Sequence, residues 1–261
     1  MARLFVASNG DYIAVPTVRW GTVLSMSAWI KLASQPPGGS PYTIISTANF
    51  TGYTGFRFAY QNAGGIYYLT FLYTFYYPGG ETEYHYAITL QTNTWYHIVW
   101  TFETQGAPDT TRLYIDGVEQ TPVVLGSGSG DDPPNVFGMG ETRIGSWFFA
   151  GNELWFFDGC IKEPAILAES EIAIPPVLSP LEVLQLFQGV PFTSLRPTSP
   201  ANASHYQGAW PLDGTSDPEQ DLSGRDRDST LINGTSFCSE LAEGCGYCIP
   251  VDRLARTNGR C

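Results

Sequence analysis

Four cysteines crowd the end of the chain: Cys238, Cys245, Cys248 and Cys261 fall within the last 24 residues at spacings of seven, three and thirteen. As thiolates they could hold a tetrahedral zinc, with Cys245-Gly246-Tyr247-Cys248 as the close pair; oxidised, they could form two disulfides; free thiols are the third reading. A zinc site of this type normally uses two short knuckles and the chain offers one, which ranks disulfides ahead of zinc. Cys160, alone in an apolar stretch, is expected to be a small buried side chain. Hard oxygen ligands gather separately, where Asp213, Asp217, Glu219 and Asp221 precede the Ser223-Gly224 turn. Oxygen-rich loops suit calcium, with Asp213, Asp217 and Asp221 as the candidate ligands. Arg225 and Arg227 neutralise part of that charge, so a solvated turn with local ion pairs competes.

Catalytic constellations are scarce. Retaining glycoside hydrolysis needs two carboxyl groups about 5 Å apart, which on one strand takes a Glu-x-Asp-x-x-Glu or similar pattern, and none is present. Glu81 and Glu83 share a face, but Pro78-Gly79-Gly80 before them marks a solvated hairpin. A serine or cysteine nucleophile would draw its base from His85, His97 or His205; His97 sits mid-strand between Tyr96 and Ile98, and no nucleophile elbow accompanies it. The chain is not expected to be an enzyme.

The elements that must position such groups read as strands. With 261 residues, 28 glycines, 19 prolines and 14% aromatics, the chain has the punctuation of an all-β protein and enough bulky side chains to fill the space between two sheets. Leu24, Met26, Ala28 and Ile30 alternate with Ser25, Ser27 and Trp29. In Ile66 to Tyr77, residues Tyr67, Leu69, Phe71, Tyr73, Phe75 and Tyr77 share the core face and Tyr68, Thr70, Leu72, Thr74 and Tyr76 the other, either as an ordinary half-buried strand or as an aromatic platform. Asn93 to Val118 reads as two strands around a polar turn, with Tyr114-Ile115-Asp116-Gly117 marking a second tight turn. One short helix is expected from the Ser179 cap and Pro180, ending near Gly189. Pro191 to Ser204 reads as a Pro/Ser-rich linker, and Gly208 to Leu212 as one more strand.

A net charge of −12 without a basic patch argues against nucleic acid and acidic lipid surfaces. No apolar run approaches the ~18 residues of a membrane span, and no secretion signal follows Met1. Sequons at Asn49, Asn202 and Asn233 are short enough to be chance.

Taken in order, LSMSAWIK (Leu24 to Lys31), WYHIVWTF (Trp95 to Phe102), LYIDGV (Leu113 to Val118), RIG (Arg143 to Gly145), FDGCIKEPAI (Phe157 to Ile166) and LSPLEVLQLF (Leu178 to Phe187) resemble the laminin-G-like, pentraxin-like branch of the concanavalin A-like lectin/glucanase superfamily. The tail piece Trp210 to Ser236 also resembles a segment of this superfamily, one that there precedes the first strand. At Lys162, before Glu163, the chain departs from the acid of the family pattern, which weakens transfer of a ligand role to that loop. The resemblance implies a jelly-roll sandwich of two antiparallel sheets over residues 1–190, one short helix, and an irregular cysteine-containing tail over 191–261 of which 208–236 packs back on the sandwich. It further implies ligands on a sheet face or loop rim; Tyr68 and Tyr76 of the aromatic face, with Trp147 and Trp155, are the candidate sugar-stacking residues. Two functions follow: a carbohydrate-binding or adhesion module for glycans or glycoproteins, or a structural component of a virion or other particle that binds its own copies and coat proteins. Either places the protein outside cells or on a particle surface.

Overall fold

The fold comes from a computed structural model that describes residues 2–20, 23–48, 55–75, 80–103, 110–121, 138–149, 151–168, 177–195, 206–213, 217–233 and 236–238. Tyr76, Cys245, Cys248, Cys261, and the sequon asparagines Asn49 and Asn202 lie outside the described residues.

In chain order the strands are β1 (Arg3–Phe5), β2 (Tyr12–Trp20), β3 (Val23–Leu32), β4 (Tyr42–Ala48), β5 (Gly55–Ala63), β6 (Ile66–Phe75), β7 (Gly80–Ala87), β8 (Trp95–Glu103) and β9 (Thr110–Ile115). They continue as β10 (Val118–Glu119), β11 (Gly138–Ile144), β12 (Trp147–Phe149), β13 (Asn152–Leu154), β14 (Gly159–Ala168), β15 (Tyr206–Ala209), β16 (Thr230–Ile232) and β17 (Ser236–Phe237), with helix α1 (Pro180–Phe187) between β14 and β15. Two antiparallel sheets result. An eight-stranded sheet runs β10-β9-β8-β3-β14-β1-β17, with β15 also pairing β14, and a seven-stranded sheet runs β16-β2-β11-β4-β5-β6-β7. β12 and β13 form a separate hairpin.

Alternation decides which side chains are inside. On β3, Leu24, Met26, Ala28 and Ile30 all join the core, and on β6 so do Leu69, Phe71 and Tyr73, the face that a period of two assigns them. Phe71 stacks on Trp100 of β8 at 5.3 Å, and Tyr86 of β7 meets the same indole edge-on at 5.0 Å. Aromatic pairs across the two sheets therefore close the sandwich.

Helix α1 seals the outer face of the eight-stranded sheet. Ser179 and Glu182 form a reciprocal capping box and Pro180 takes the first turn. At the other end Gly189 turns at φ 89°, its N–H donates to the Leu186 carbonyl, and the Val190 N–H donates to the Gln185 carbonyl, a Schellman ending. Val183 and Leu186 pack on Val99, Tyr114, Ala165 and Leu167. Beneath the helix, His97 packs against Trp29 and Phe187 with its Nε2 3.0 Å from Ser27 Oγ, and burial pushes its pKa down to about 3. A neutral, covered imidazole beside a covered serine is a packing element and not a nucleophile–base pair. The Asp116-Gly117 turn between β9 and β10 has both residues at positive φ, 51° and 78°, as a two-residue hairpin turn requires.

The tail strands divide between the sheets. β15 pairs β14, β16 extends the seven-stranded sheet beside β2, and β17 lies beside β1. Trp210 and Leu212 are core residues, and Arg3 donates from Nε to Glu219 Oε1 at 2.6 Å in a buried ion pair. The expectation of a lone buried thiol at Cys160 is corrected: Cys160 is disulfide-bonded to Cys238, with Cα atoms 6.0 Å apart. β1 pairs with both β14 and β17, which brings the end of the tail to Cys160. Cys238 is thereby withdrawn from the four-cysteine zinc set, since a disulfide sulfur is no thiolate ligand.

Candidate functional site

With the eight-stranded sheet covered by α1, the other sheet's outer face is where side chains of mixed chemistry meet. On β5, Phe56, Phe58 and Tyr60 point into the core, so Arg57 points out; on β11, Ile144 points in and Arg143 out. Register sets Arg57 beside Ser46 of β4 on one side and Leu72 of β6 on the other, with Glu83 of β7 next to Leu72. Arg143 is the partner of Ser46 from the opposite side. The two arginines are thus two strand spacings apart, about 10 Å.

The β12–β13 hairpin stands over this face between them. Trp147 of the hairpin and Trp155 just after it form an edge-to-face corner, ring centroids 5.7 Å apart, that holds the Arg57 guanidinium, whose Cζ is 4.6 and 4.5 Å from the two rings. Arg57 also donates from Nη2 to Glu83 Oε1 at 3.2 Å, and His85 Nε2 lies 3.0 Å from Glu83 Oε2 with its ring 5.3 Å from that of Tyr68. Phe148 and Glu153, opposite one another in the hairpin, address Arg143 instead. Arg143 donates from Nε to Glu153 Oε1 at 2.6 Å and from Nη2 to Glu141 Oε2 at 2.7 Å, and its Cζ is 5.4 Å from the rings of both Phe148 and Tyr12. Ser146 Oγ donates to the second oxygen of Glu153 at 2.9 Å, and Ser46 Oγ donates to the Ser146 carbonyl at 2.7 Å.

The electrostatics follow from burial opposed by pairing. Arg57 is 4% exposed and Arg143 7%, and buried guanidiniums require carboxylate partners. Burial would lower the Arg143 pKa, but its bonds to Glu153 and Glu141 outweigh that and raise it. Burial would raise Glu83, yet the hydrogen bond with His85 and the charge of Arg57 hold it below the ordinary carboxylate value. The Tyr12 phenol is pushed up by burial and by the nearby Glu153 charge. Trp155 takes the left-handed conformation at φ 54°, which costs a bulky residue about 1–3 kcal/mol and concentrates at functional positions.

The four expected stacking residues separate. Tyr68 and Trp147 are buried at 7% and 3% exposure, so neither offers an open ring, and Trp147 serves Arg57. Trp155 is half-buried, with one contact on Arg57. Glu83, expected on a solvated hairpin, is instead paired on β7. Of the calcium candidates, Asp213 is exposed and Asp217 accepts the Leu231 N–H at 3.1 Å. Asp221 is buried, and its carboxylate accepts the N–H groups of Ala209, Ser223 and Arg227 and the Ser223 hydroxyl, all within 3.2 Å. No group of three or more His, Cys, Asp or Glu placed to hold a metal occurs among the described residues.

Arg57, Arg143, Glu153, Phe148 and Tyr12 were not identified as site residues from the sequence. The available signal was an arginine flanked by Phe56 and Phe58 in a strand, because alternation must send it to the opposite face. Each carboxylate at the centre of the face is bonded to an arginine, an arrangement that orients and accepts hydrogen bonds and does not transfer protons.

Residues 7–170 match the laminin-G-type family described as the Concanavalin A-like lectin/glucanases superfamily. The chain belongs to that superfamily. No curated protein matches. Among solved structures, a candidate carbohydrate-binding protein from Bacteroides ovatus is similar at 22% identity and TM-score 0.58, over 90% of this chain and 58% of that one. The chain therefore spans little more than half of that protein. The heptameric SAP-like pentraxin of Limulus polyphemus is similar at 14% identity and TM-score 0.51, over 87% and 89% of the two chains. Tailspike protein 2 of an Escherichia coli O157:H7 bacteriophage is similar at 15% identity and TM-score 0.53, over 80% of this chain and 26% of that one. At these identities the likeness is one of fold.

Proposed function

We propose that this superfamily member is a non-catalytic carbohydrate-binding module whose ligand lies against the outer face of the seven-stranded sheet, at the β12–β13 hairpin. The observation that carries the reading is the Trp147–Trp155 corner around Arg57, which fixes a half-buried indole in a strained backbone conformation next to polar groups. Rigid aromatic planes beside oriented acceptors are what a sugar ring needs: its C–H face lies on the ring and its hydroxyls donate to carboxylates. Phe149, 39% exposed at the hairpin tip, extends the aromatic surface.

Binding of the purified chain to a broad glycan array, repeated with Trp155→Ala, tests this. Reproducible saccharide signals that disappear in the variant are expected; signals that survive in a folded Trp155→Ala protein would move the ligand elsewhere, and silence of the native chain would reject the module. Calcium is a separate element of the reading. Asp221 is committed to its own loop, which leaves Asp213 and Asp217 well short of the roughly six to eight oxygens calcium takes. Binding is expected to survive a chelator.

A structural role on a virion or other particle is the second reading, favoured by the fold shared with a phage tailspike over 80% of this chain. There the same face would meet copies of the chain or coat proteins. Both readings put the protein outside cells or on a particle surface, and no helix among the described residues is long and apolar enough to cross a membrane.

A further inference from the structure

We propose that the face takes an uncharged saccharide and turns away anionic ones, an inference that rests on the carbohydrate reading above. Capture of a sugar carboxylate or sulfate needs a cation with open donors, most often a guanidinium edge that can bond two oxygens at once. Neither arginine of the face presents one to solvent, Arg57 being 4% exposed and Arg143 7%. Arg143 spends Nε on Glu153, Nη2 on Glu141 and Nη1 on the Thr142 carbonyl. Arg57 is packed against the indoles of Trp147 and Trp155 and donates from Nη2 to Glu83. What reaches solvent is the acceptor side of these pairs: the Glu141 side chain is 39% exposed and that of Glu83 29%, against 8% and 5% for their arginines.

The local charge points the same way. Glu83, Glu141 and Glu153 set three carboxylates against the two guanidiniums, in a chain of net charge −12. An anion arriving here meets carboxylate oxygens and a repulsive field. A neutral sugar meets acceptors for its hydroxyls and the rings of Trp155, Phe148 and Phe149 for its C–H face. The arginines thus act by orienting carboxylates and indoles, and a ligand contacts what they hold.

The test is binding of the full chain to neutral hexose and pentose oligosaccharides and to sialylated, uronic-acid and sulfated ones, at low and high salt, with the native sequence, Glu141→Gln and Trp155→Ala. Expected are signals confined to neutral glycans and insensitive to salt, a loss of about tenfold in affinity for Glu141→Gln, and loss of binding for Trp155→Ala. Glu141→Gln should also gain weak, salt-sensitive binding of acidic glycans, because it removes one carboxylate charge beside Arg143. Acidic-glycan binding by the native chain that weakens with salt would overturn the inference while leaving the carbohydrate reading standing. Silence toward all glycans overturns both. Neutral binding at full strength in both variants, with native thermal transitions, places the ligand off this face and overturns the inference.

Discussion

Arg57 and Arg143 are the register partners of the same residue, Ser46, from opposite sides. One hairpin serves both, laying Trp147 on Arg57 and bonding Glu153 to Arg143. The consequence is a face whose aromatic and acidic groups are held by two internal cations, so that stability and recognition draw on the same contacts and can be separated by the choice of substitution.

Replacing Arg143 with methionine removes the partner of Glu153, whose side chain is 19% exposed, and of the more exposed Glu141. Breaking a fully buried pair costs about 3–5 kcal/mol; solvent at the two glutamates reduces the expected loss to about 1–3 kcal/mol. The urea midpoint should fall accordingly, and adding Glu153→Leu should recover part of the loss. An unchanged midpoint for Arg143→Met would mean that the hairpin is held by other contacts.

At Trp155 the backbone and the ring can be tested apart. Glycine relieves the φ of 54° and alanine does not, while both delete the indole. Trp155→Gly is expected to be more stable than Trp155→Ala by about 1 kcal/mol, with saccharide binding lost equally in both. Equal melting temperatures would argue that the conformation carries no strain.

Acid should destabilise the fold through His97 and Glu83. The pKa of His97 is depressed from 6.5 to about 3, so its contribution is complete above 6.5 and is lost as pH falls toward 3, with a slope of about 1.4 kcal/mol per pH unit. Glu83 is depressed below its ordinary 4.5, so its contribution is present above that value and disappears at lower pH. His97→Gln should flatten the stability profile between pH 6.5 and 4.5 specifically, where Glu83 does not yet titrate. A variant profile parallel to the native one would mean that His97 is not buried as a neutral ring.

The Cys160–Cys238 disulfide closes a loop across 78 residues. A closure of that size is worth about 2–4 kcal/mol, so reduction or Cys238→Ser should lower the thermal midpoint and free the β17 edge to exchange its amide hydrogens. Peptide mapping of the non-reduced protein should recover the Cys160–Cys238 pair; a map that joins Cys238 to another tail cysteine would contradict the packing of β17 on β1.

Much of the sandwich was legible in the chain because it is written in neighbours one to four residues apart. The alternation of Leu24 to Ile30 chose the core face of β3, Asp116-Gly117 marked the β9–β10 turn, and Ser179, Pro180 and Gly189 bounded helix α1, each through a local backbone preference that later packing did not overrule. Alternation along β5 likewise determined that Arg57 would leave the core. Only the tertiary structure decided what Arg57 would meet. Trp147 and Trp155 arrive from about a hundred residues away, Cys238 crosses to Cys160, and Tyr68 and Trp147 turn out to be supports instead of open platforms. Strand order and register set those meetings, and they are fixed by the summed packing of two sheets, which no local window of the sequence contains.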